Sequence, residues 1–118
     1  MIIRLTTVII LVFAMFSCAN SNEPELEDVI CEDTFTYTDC VKTIISSNCV
    51  QCHNSEADPI APFPLETYTQ VKNAVESGNL VHFISLADGT AGAMPPSGRL
   101  TQSNIDIISS WADSGFVE

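Results

Sequence analysis

Five consecutive residues, Cys49-Val50-Gln51-Cys52-His53, bring together thiol and imidazole side chains at a spacing that can do chemistry. Two thiols three positions apart lie on one helical turn, so each can form a thioether with one vinyl group of the same porphyrin. The imidazole that follows at once then lies beside an anchored ring, where it can be an axial ligand of the iron. The C-x-x-C-H spacing therefore indicates one covalently attached haem c, held by Cys49 and Cys52 and ligated by His53.

The same cysteines fit two other kinds of site. Dithiol exchange of the thioredoxin type needs a βαβ setting around C-x-x-C, whereas the strongly periodic segments of this chain are helical. A zinc site would draw on four donors, Cys49, Cys52, His53 and His82. The chain has no second paired motif of the kind that structural zinc sites use, so haem is favoured over zinc.

Charge limits the partners that this chain can bind. Asp and Glu total 15 residues, against 4 Lys and Arg, and the formal net charge is −11. The cations are scattered, at Arg4, Lys42, Lys72 and Arg99. No basic patch can neutralise phosphates, so nucleic acid is not expected as a partner. The acidity favours solubility, and it can also steer a basic redox partner to the surface.

Residues 1–17 have the organisation of a secretory leader. Arg4 gives the leader a positively charged N-terminal region, and residues 5–16 form an apolar run interrupted only by two threonines. This run is shorter than the stretch of about 18 residues that a transmembrane helix needs. We therefore predict that residues 1–17 are a signal peptide.

Cys18 stands at the expected cleavage site of this leader. Ser17 before it and the residues after it resemble a bacterial lipoprotein signal, in which the cysteine is lipidated and becomes the mature N-terminus. Met15 and Phe16 depart from that family's pattern, which prefers Leu and a small residue there. Ordinary cleavage, giving a soluble periplasmic protein, is the alternative.

Residues 18–33 are predicted to be a flexible tether between this anchor and a folded domain at residues 34–118. Acidic residues dominate the stretch, at Glu23, Glu25, Glu27, Asp28, Glu32 and Asp33. A like-charge run with few large apolar side chains cannot bury enough surface to order itself. An export or surface-display signal is the alternative interpretation of this run.

Cys31 and Cys40 remain after the other cysteines have been assigned. Eight residues separate them in a chain that we predict to be exported, where disulfides persist. We predict that they form a disulfide, which would stabilise the fold by roughly 2–3 kcal/mol. The alternative is a pair of free buried thiols.

The element that must position Cys49 and Cys52 is a helix directly before them. Thr38 or Asp39 can cap such a helix, and three apolar residues, Val41, Ile44 and Ile45, follow at helical spacing. The pattern runs straight into the C-x-x-C-H motif, which predicts that one helix carries both cysteines.

Prolines and glycines divide the rest of the chain. Residues 54–64 are rich in Pro and are predicted to be a loop. A second helix is predicted from Thr67 to a stop at Gly78, and a last one from Thr101 to a stop at Gly115. The apolar faces of these two helices are Tyr68, Val71, Ala74 and Val75, and Ile105, Ile108, Trp111 and Ala112. The short apolar run at 81–86 fits either a strand or a buried helical turn.

The order of these features resembles that of the single-haem class I cytochromes c. The closest resemblance is to the short cytochrome c-like domains of bacterial envelope lipoproteins, and it covers about residues 35–117. It implies an all-α fold, the small cytochrome c fold with three to four helices around one covalently attached haem. It also implies that the first and last helices pack together through the faces already described. The ring of lysines of animal mitochondrial cytochromes c is absent from this acidic chain, so docking of that type is not expected.

The resemblance assigns Met94, followed by Pro95, as the second axial ligand. Met94 is the only large apolar side chain between residues 87 and 98, where prolines stiffen the backbone and glycines permit close approach to a porphyrin. His82 is the competing ligand, but it lies in an apolar run, where a histidine is more often satisfied by a backbone carbonyl.

His53 and Met94 together would leave no open iron position for a substrate. The sequence therefore predicts an electron carrier and not an enzyme. Its partners would be redox proteins of the cell envelope, and its lipid anchor would hold it to a periplasmic or outer-membrane surface. The alternative is a haem-based ligand sensor, or a structural haem module beside a larger envelope enzyme, if the glycine-rich loop releases Met94.

Overall fold

The computed structural model describes Cys31, residues 34–56 and residues 61–118. These residues form one π-helical turn and four α-helices, and they contain no strand. The π-helical turn is Tyr37–Val41, and the α-helices are α1 Lys42–Asn48, α2 Tyr68–Glu76, α3 Leu80–Ser85 and α4 Gln102–Asp113. The prediction of an all-α fold is confirmed for this part of the chain. Apart from Cys31, the predicted signal peptide and tether, with the lipidation site Cys18, lie outside the described residues.

The first helical segment begins two to three residues earlier than predicted. Thr36 has an extended backbone, and its hydroxyl oxygen accepts the N–H of Asp39 at 3.1 Å. The predicted cap at Thr38 or Asp39 is therefore wrong, because Thr36 already satisfies the first free N–H groups of the helix. The N–H of Tyr37 also donates to the carbonyl of Val117 at 2.8 Å. This bond joins the first residue of the π-helical turn to the C-terminal residues that follow α4.

Helix α1 ends at Asn48, immediately before the two cysteines. The N–H groups of Cys49 and Val50 both donate to the carbonyl of Ile45, at 2.9 Å and 3.2 Å. Because the second of these bonds spans five residues, the regular helical ladder stops there. The prediction that one helix carries both cysteines is wrong: α1 delivers Cys49, and a separate turn continues to Cys52.

Helices α2 and α4 begin at the predicted caps. The hydroxyl of Thr67 accepts the N–H of Gln70 at 3.3 Å while the Gln70 side chain accepts the N–H of Thr67 at 2.9 Å, a reciprocal capping box. The hydroxyl of Thr101 accepts the N–H of Asn104 at 3.3 Å in the same way at the start of α4. Residues 81–85 of the ambiguous apolar run lie in α3 and are helical, and Leu86 follows the helix with an extended backbone.

The π-helical turn and the helices pack around one hydrophobic core. Trp111 of α4 is fully buried at its centre, with its ring centroid 5.8 Å from that of Tyr37 and 4.9 Å from that of Phe116. The apolar faces of the first and last helical segments share this core, and their buried members are Val41, Ile44, Ile45, Ile105, Ile108 and Trp111. Among the described residues, no helix is both long and apolar enough to cross a membrane.

Candidate functional site

Cys49, Cys52 and His53 lie on one hydrogen-bonded turn that follows α1. The carbonyl of Cys49 accepts two N–H groups, that of Cys52 at 3.1 Å and that of His53 at 2.8 Å. Helix α1 fixes the start of this turn through the bond from Cys49 N–H to Ile45. The backbone therefore gathers the three residues of the motif on a turn and not within a helix.

The two thiols of this turn differ in their surroundings. Neither forms a disulfide; Cys49 is 9% exposed and belongs to the hydrophobic core, whereas Cys52 is exposed. Burial raises the pKa of the Cys49 thiol to about 11, so it stays protonated at neutral pH. Dithiol exchange requires the opposite, a thiol with a lowered pKa, and the described residues contain no strand that could build a βαβ unit.

His53 is held in one orientation by a backbone carbonyl. Its Nδ1 lies 2.9 Å from the carbonyl oxygen of Phe63, and the two rings pack with their centroids 4.9 Å apart. Because a carbonyl oxygen can only accept, Nδ1 must carry the hydrogen. The lone pair of a neutral His53 ring is then on Nε2, which is the state that a metal-ligating histidine needs.

Asn54, which was not among the predicted site residues, stabilises the turn. The Asn54 side chain donates from Nδ2 to the carbonyl of Val50 at 2.8 Å and to that of Gln51 at 3.2 Å. Asn54 directly follows the motif, and an Asn at the end of a turn is a signal for such capping. The contact of His53 with the Phe63 carbonyl has no comparable sequence signal, because every residue has a carbonyl.

The segment after Phe63 closes over the same turn. The N–H of Leu65 donates to the carbonyl of His53 at 2.8 Å, and Leu65 itself is buried in the core. The N–H of Ser55 donates to the carboxylate of Glu66 at 3.1 Å. His53 is thus fixed on both its side chain and its main chain by residues 63–66.

Met94 is held by a different part of the fold. Its N–H donates to the carbonyl of Phe83 in α3 at 3.1 Å, and its half-buried side chain packs against the hydrophobic core. Position 92 faces Phe83, because a side chain there, where Gly92 has φ +86°, would meet the Phe83 ring at ordinary contact distance. The structure therefore anchors the Met94 segment to α3, while His53 is anchored to residues 63–66. His82, the competing ligand, is exposed on α3.

Cys31 and Cys40 form a disulfide with a Cα separation of 5.8 Å. Cys40 lies in the π-helical turn and is 1% exposed, so the bridge fixes the chain at Cys31 to the first helical segment. Of the cysteines that the structure describes, this leaves Cys49 and Cys52 as the free thiols.

The donors of the alternative zinc site are not gathered. Within residues 34–56, residues 61–118 and Cys31, no group of three or more His, Cys, Asp or Glu side chains is placed to hold a metal ion. The donors at the turn do fit a c-type haem. Two thiols without a disulfide and an imidazole with a free Nε2 lie within five consecutive residues, 49–53. No protein-family model, no curated protein and no solved structure matches this chain.

Proposed function

We propose that this protein is an exported, membrane-anchored c-type cytochrome with one haem, which carries single electrons between redox partners of the cell envelope. The observation that carries the proposal is the contact of His53 Nδ1 with the Phe63 carbonyl, on the same turn as two thiols that form no disulfide. A haem-binding turn needs this combination of attachment points and an imidazole with a defined free nitrogen.

Each residue of the site has a separate role in this proposal. Cys49 and Cys52 would hold the haem through thioethers, and His53 would supply Nε2 as an iron ligand. Met94 supplies a thioether sulfur as the second ligand, which favours ferrous iron and raises the reduction potential. The haem, when bound, supplies reversible one-electron exchange. With His53 and Met94 as its ligands, a bound haem would leave no position for a substrate, so the proposed role is electron transfer and not enzymatic chemistry.

The proposed location rests on the N-terminal residues. Removal of residues 1–17 and lipidation of Cys18 would tether the domain to a periplasmic or outer-membrane surface, because stable attachment needs more than one acyl chain. Expression of Cys18→Ser in a bacterium with lipoprotein processing should move the protein to the soluble envelope fraction or leave it unprocessed. Unchanged partition into the membrane fraction would contradict the anchor.

The proposed partners are redox proteins with a basic docking surface. Among the described residues the charged side chains are mostly acidic, and one of the cations, Lys72, is 4.0 Å from Glu76 and lies over the ring of Phe116. A negative surface attracts a positive partner at low ionic strength and lets it dissociate as salt is added. Nucleic acid is not among the proposed partners.

Covalent attachment can be tested by mass spectrometry of denatured protein made with a c-type maturation system. We expect the wild-type chain to carry the mass of one haem, and the Cys49→Ala/Cys52→Ala double variant to carry none. We also expect the double variant to lose part of its helical circular dichroism, because a bound haem would add buried apolar surface to the core of a small domain. Wild-type protein without added mass, or a double variant with native helix content, would count against the proposal.

A further inference from the structure

Met94 lies outside any helix, in the chain between α3 and α4, and its own N–H ties it to α3 through the Phe83 carbonyl. Three backbone bonds form local turns in this segment, each spanning three positions: Thr90 to Ala87, Ala93 to Thr90 and Gly98 to Pro95. Bonds of this span shape the loop locally, but they do not join its two ends. The position of Met94 therefore depends on contacts that bridge larger distances along the chain.

One such contact lies at the base of the loop. Oδ1 of Asp88 accepts the N–H of Arg99, so the bond joins residues eleven positions apart with Met94 between them. Arg99 precedes Leu100, which is 5% exposed and part of the hydrophobic core. The Arg99 N–H is thus fixed relative to the core, and the Asp88 carboxylate ties the first half of the loop to that fixed point.

The contact depends on the main chain of Arg99 and not on its charge. The guanidinium Nη2 donates to Oε1 of Gln102 at 2.7 Å, so it is engaged with the first turn of α4. Replacing the guanidinium would leave the backbone N–H in place. An Asn at position 88 would keep an oxygen that can accept it, whereas an Ala would not.

We propose that Asp88 is a positioning residue that keeps Met94 at the haem iron by closing the base of this loop. The inference rests on the proposed function, in which Met94 is the second ligand. A thioether binds iron weakly, so its occupancy depends on how often the loop that carries it is in the bound conformation. Asp88 sets that population by restricting the open states of the loop.

The test uses matured holoprotein and compares Asp88→Ala with two controls, Asp88→Asn and Arg99→Ala. The readouts are the ferric thioether-to-iron charge-transfer band and the apparent affinity for imidazole, which must displace Met94 to bind. For Asp88→Ala we expect a weakened band and an imidazole affinity higher by about tenfold, equivalent to about 1.4 kcal/mol. Both controls should stay within about twofold of wild type, since neither removes an acceptor or a donor of the bond.

The outcomes separate this inference from the proposed function. If Asp88→Ala matches Arg99→Ala in band and affinity, the positioning role is wrong while the haem and Met94 assignments stand. If wild-type protein carries haem c but lacks the band, Met94 is not the ligand and the inference is overturned with that assignment. Asp88→Val serves as a second variant should Asp88→Ala fold poorly, and it should also raise the imidazole affinity because its side chain has no acceptor for the Arg99 N–H.

Discussion

The Nδ1 atom of His53 lies 2.9 Å from the carbonyl oxygen of Phe63, ten residues further along the chain. This contact fixes the ring tautomer and closes the loop that follows the two cysteines. It gives His53 the free Nε2 that an axial ligand requires. The other histidine of the chain, His82, is exposed and offers a matched comparison.

His53→Ala should therefore remove the proximal ligand, while His82→Ala should not. In matured protein we expect His53→Ala to keep covalent haem through its cysteines but to give a high-spin ferric spectrum. Added imidazole should restore a low-spin spectrum, because it can occupy the vacated position. A His53→Ala spectrum identical to that of wild type would show that another residue ligates the iron.

Met94→Ala should abolish the ferric thioether-to-iron charge-transfer band and lower the reduction potential. The physical reason is that a thioether favours ferrous iron and its loss removes that preference. His82→Ala is the control, and it should leave the band intact. High-spin iron in His82→Ala alone would reverse the assignment of the second ligand.

Carbon monoxide separates the electron carrier from the haem sensor. If Met94 stays bound, the reduced wild-type protein should not bind carbon monoxide without denaturant, whereas Met94→Ala should bind it. The measurement is the shift of the Soret band on exposure to the gas. Binding by the native wild-type protein would favour the sensor, in which the Met94 loop opens to admit a ligand.

Much of the helical framework was predictable, because local signals set it. Thr67 and Gln70 sit at the spacing of a capping box, and Thr101 precedes an apolar periodic segment, so α2 and α4 begin where their sequence indicates. The start of the first helical segment was predicted wrongly because Thr36 and Thr38 are equally plausible caps locally. The structure distinguishes the two residues, because Thr36 has the extended backbone of a cap residue and Thr38 lies within the helical turn.

The parts of the site that were missed depend on one irregular backbone hydrogen bond and on contacts distant in sequence. The end of α1 before Cys49 follows from a second N–H bonding to Ile45, and the local pattern does not encode this. The partners of His53 and Arg99, which are the Phe63 carbonyl and the Asp88 carboxylate, lie ten and eleven positions away. Residue types predict which side chains could do chemistry, whereas the tertiary fold decides what holds them.

The disulfide should contribute measurably to stability. Replacing Cys31 by Ser opens a short loop, and the free energy of unfolding should fall by roughly 2–3 kcal/mol. The measurement is the denaturant midpoint of holoprotein, in which the proposed thioethers would block Cys49 and Cys52. Chemical reduction of the wild type is the control and should give the same loss; equal midpoints for reduced and oxidised protein would contradict the prediction.

Stability should also depend on pH through Tyr37. Burial, with a smaller contribution from the carboxylate of Glu118, raises the pKa of Tyr37 above its usual value. The folded state therefore favours the neutral Tyr37 hydroxyl. Its contribution to the free energy of unfolding is fully present below pH about 10 and is lost as pH rises through the raised pKa. The free energy of unfolding of wild type should fall above pH about 10 relative to that of Tyr37→Phe, which does not titrate. Parallel pH profiles for the two proteins would contradict the assignment.

The pyridine haemochrome spectrum of matured protein tests whether Cys49, Cys52 and His53 form a c-type haem site. Two thioether bonds remove both vinyl groups from conjugation, which shifts the reduced band to the position of haem c. We predict that band for wild type, and a shifted band for Cys49→Ala or Cys52→Ala, each of which keeps one vinyl group. Properly matured wild-type protein without a haem c band would contradict the account.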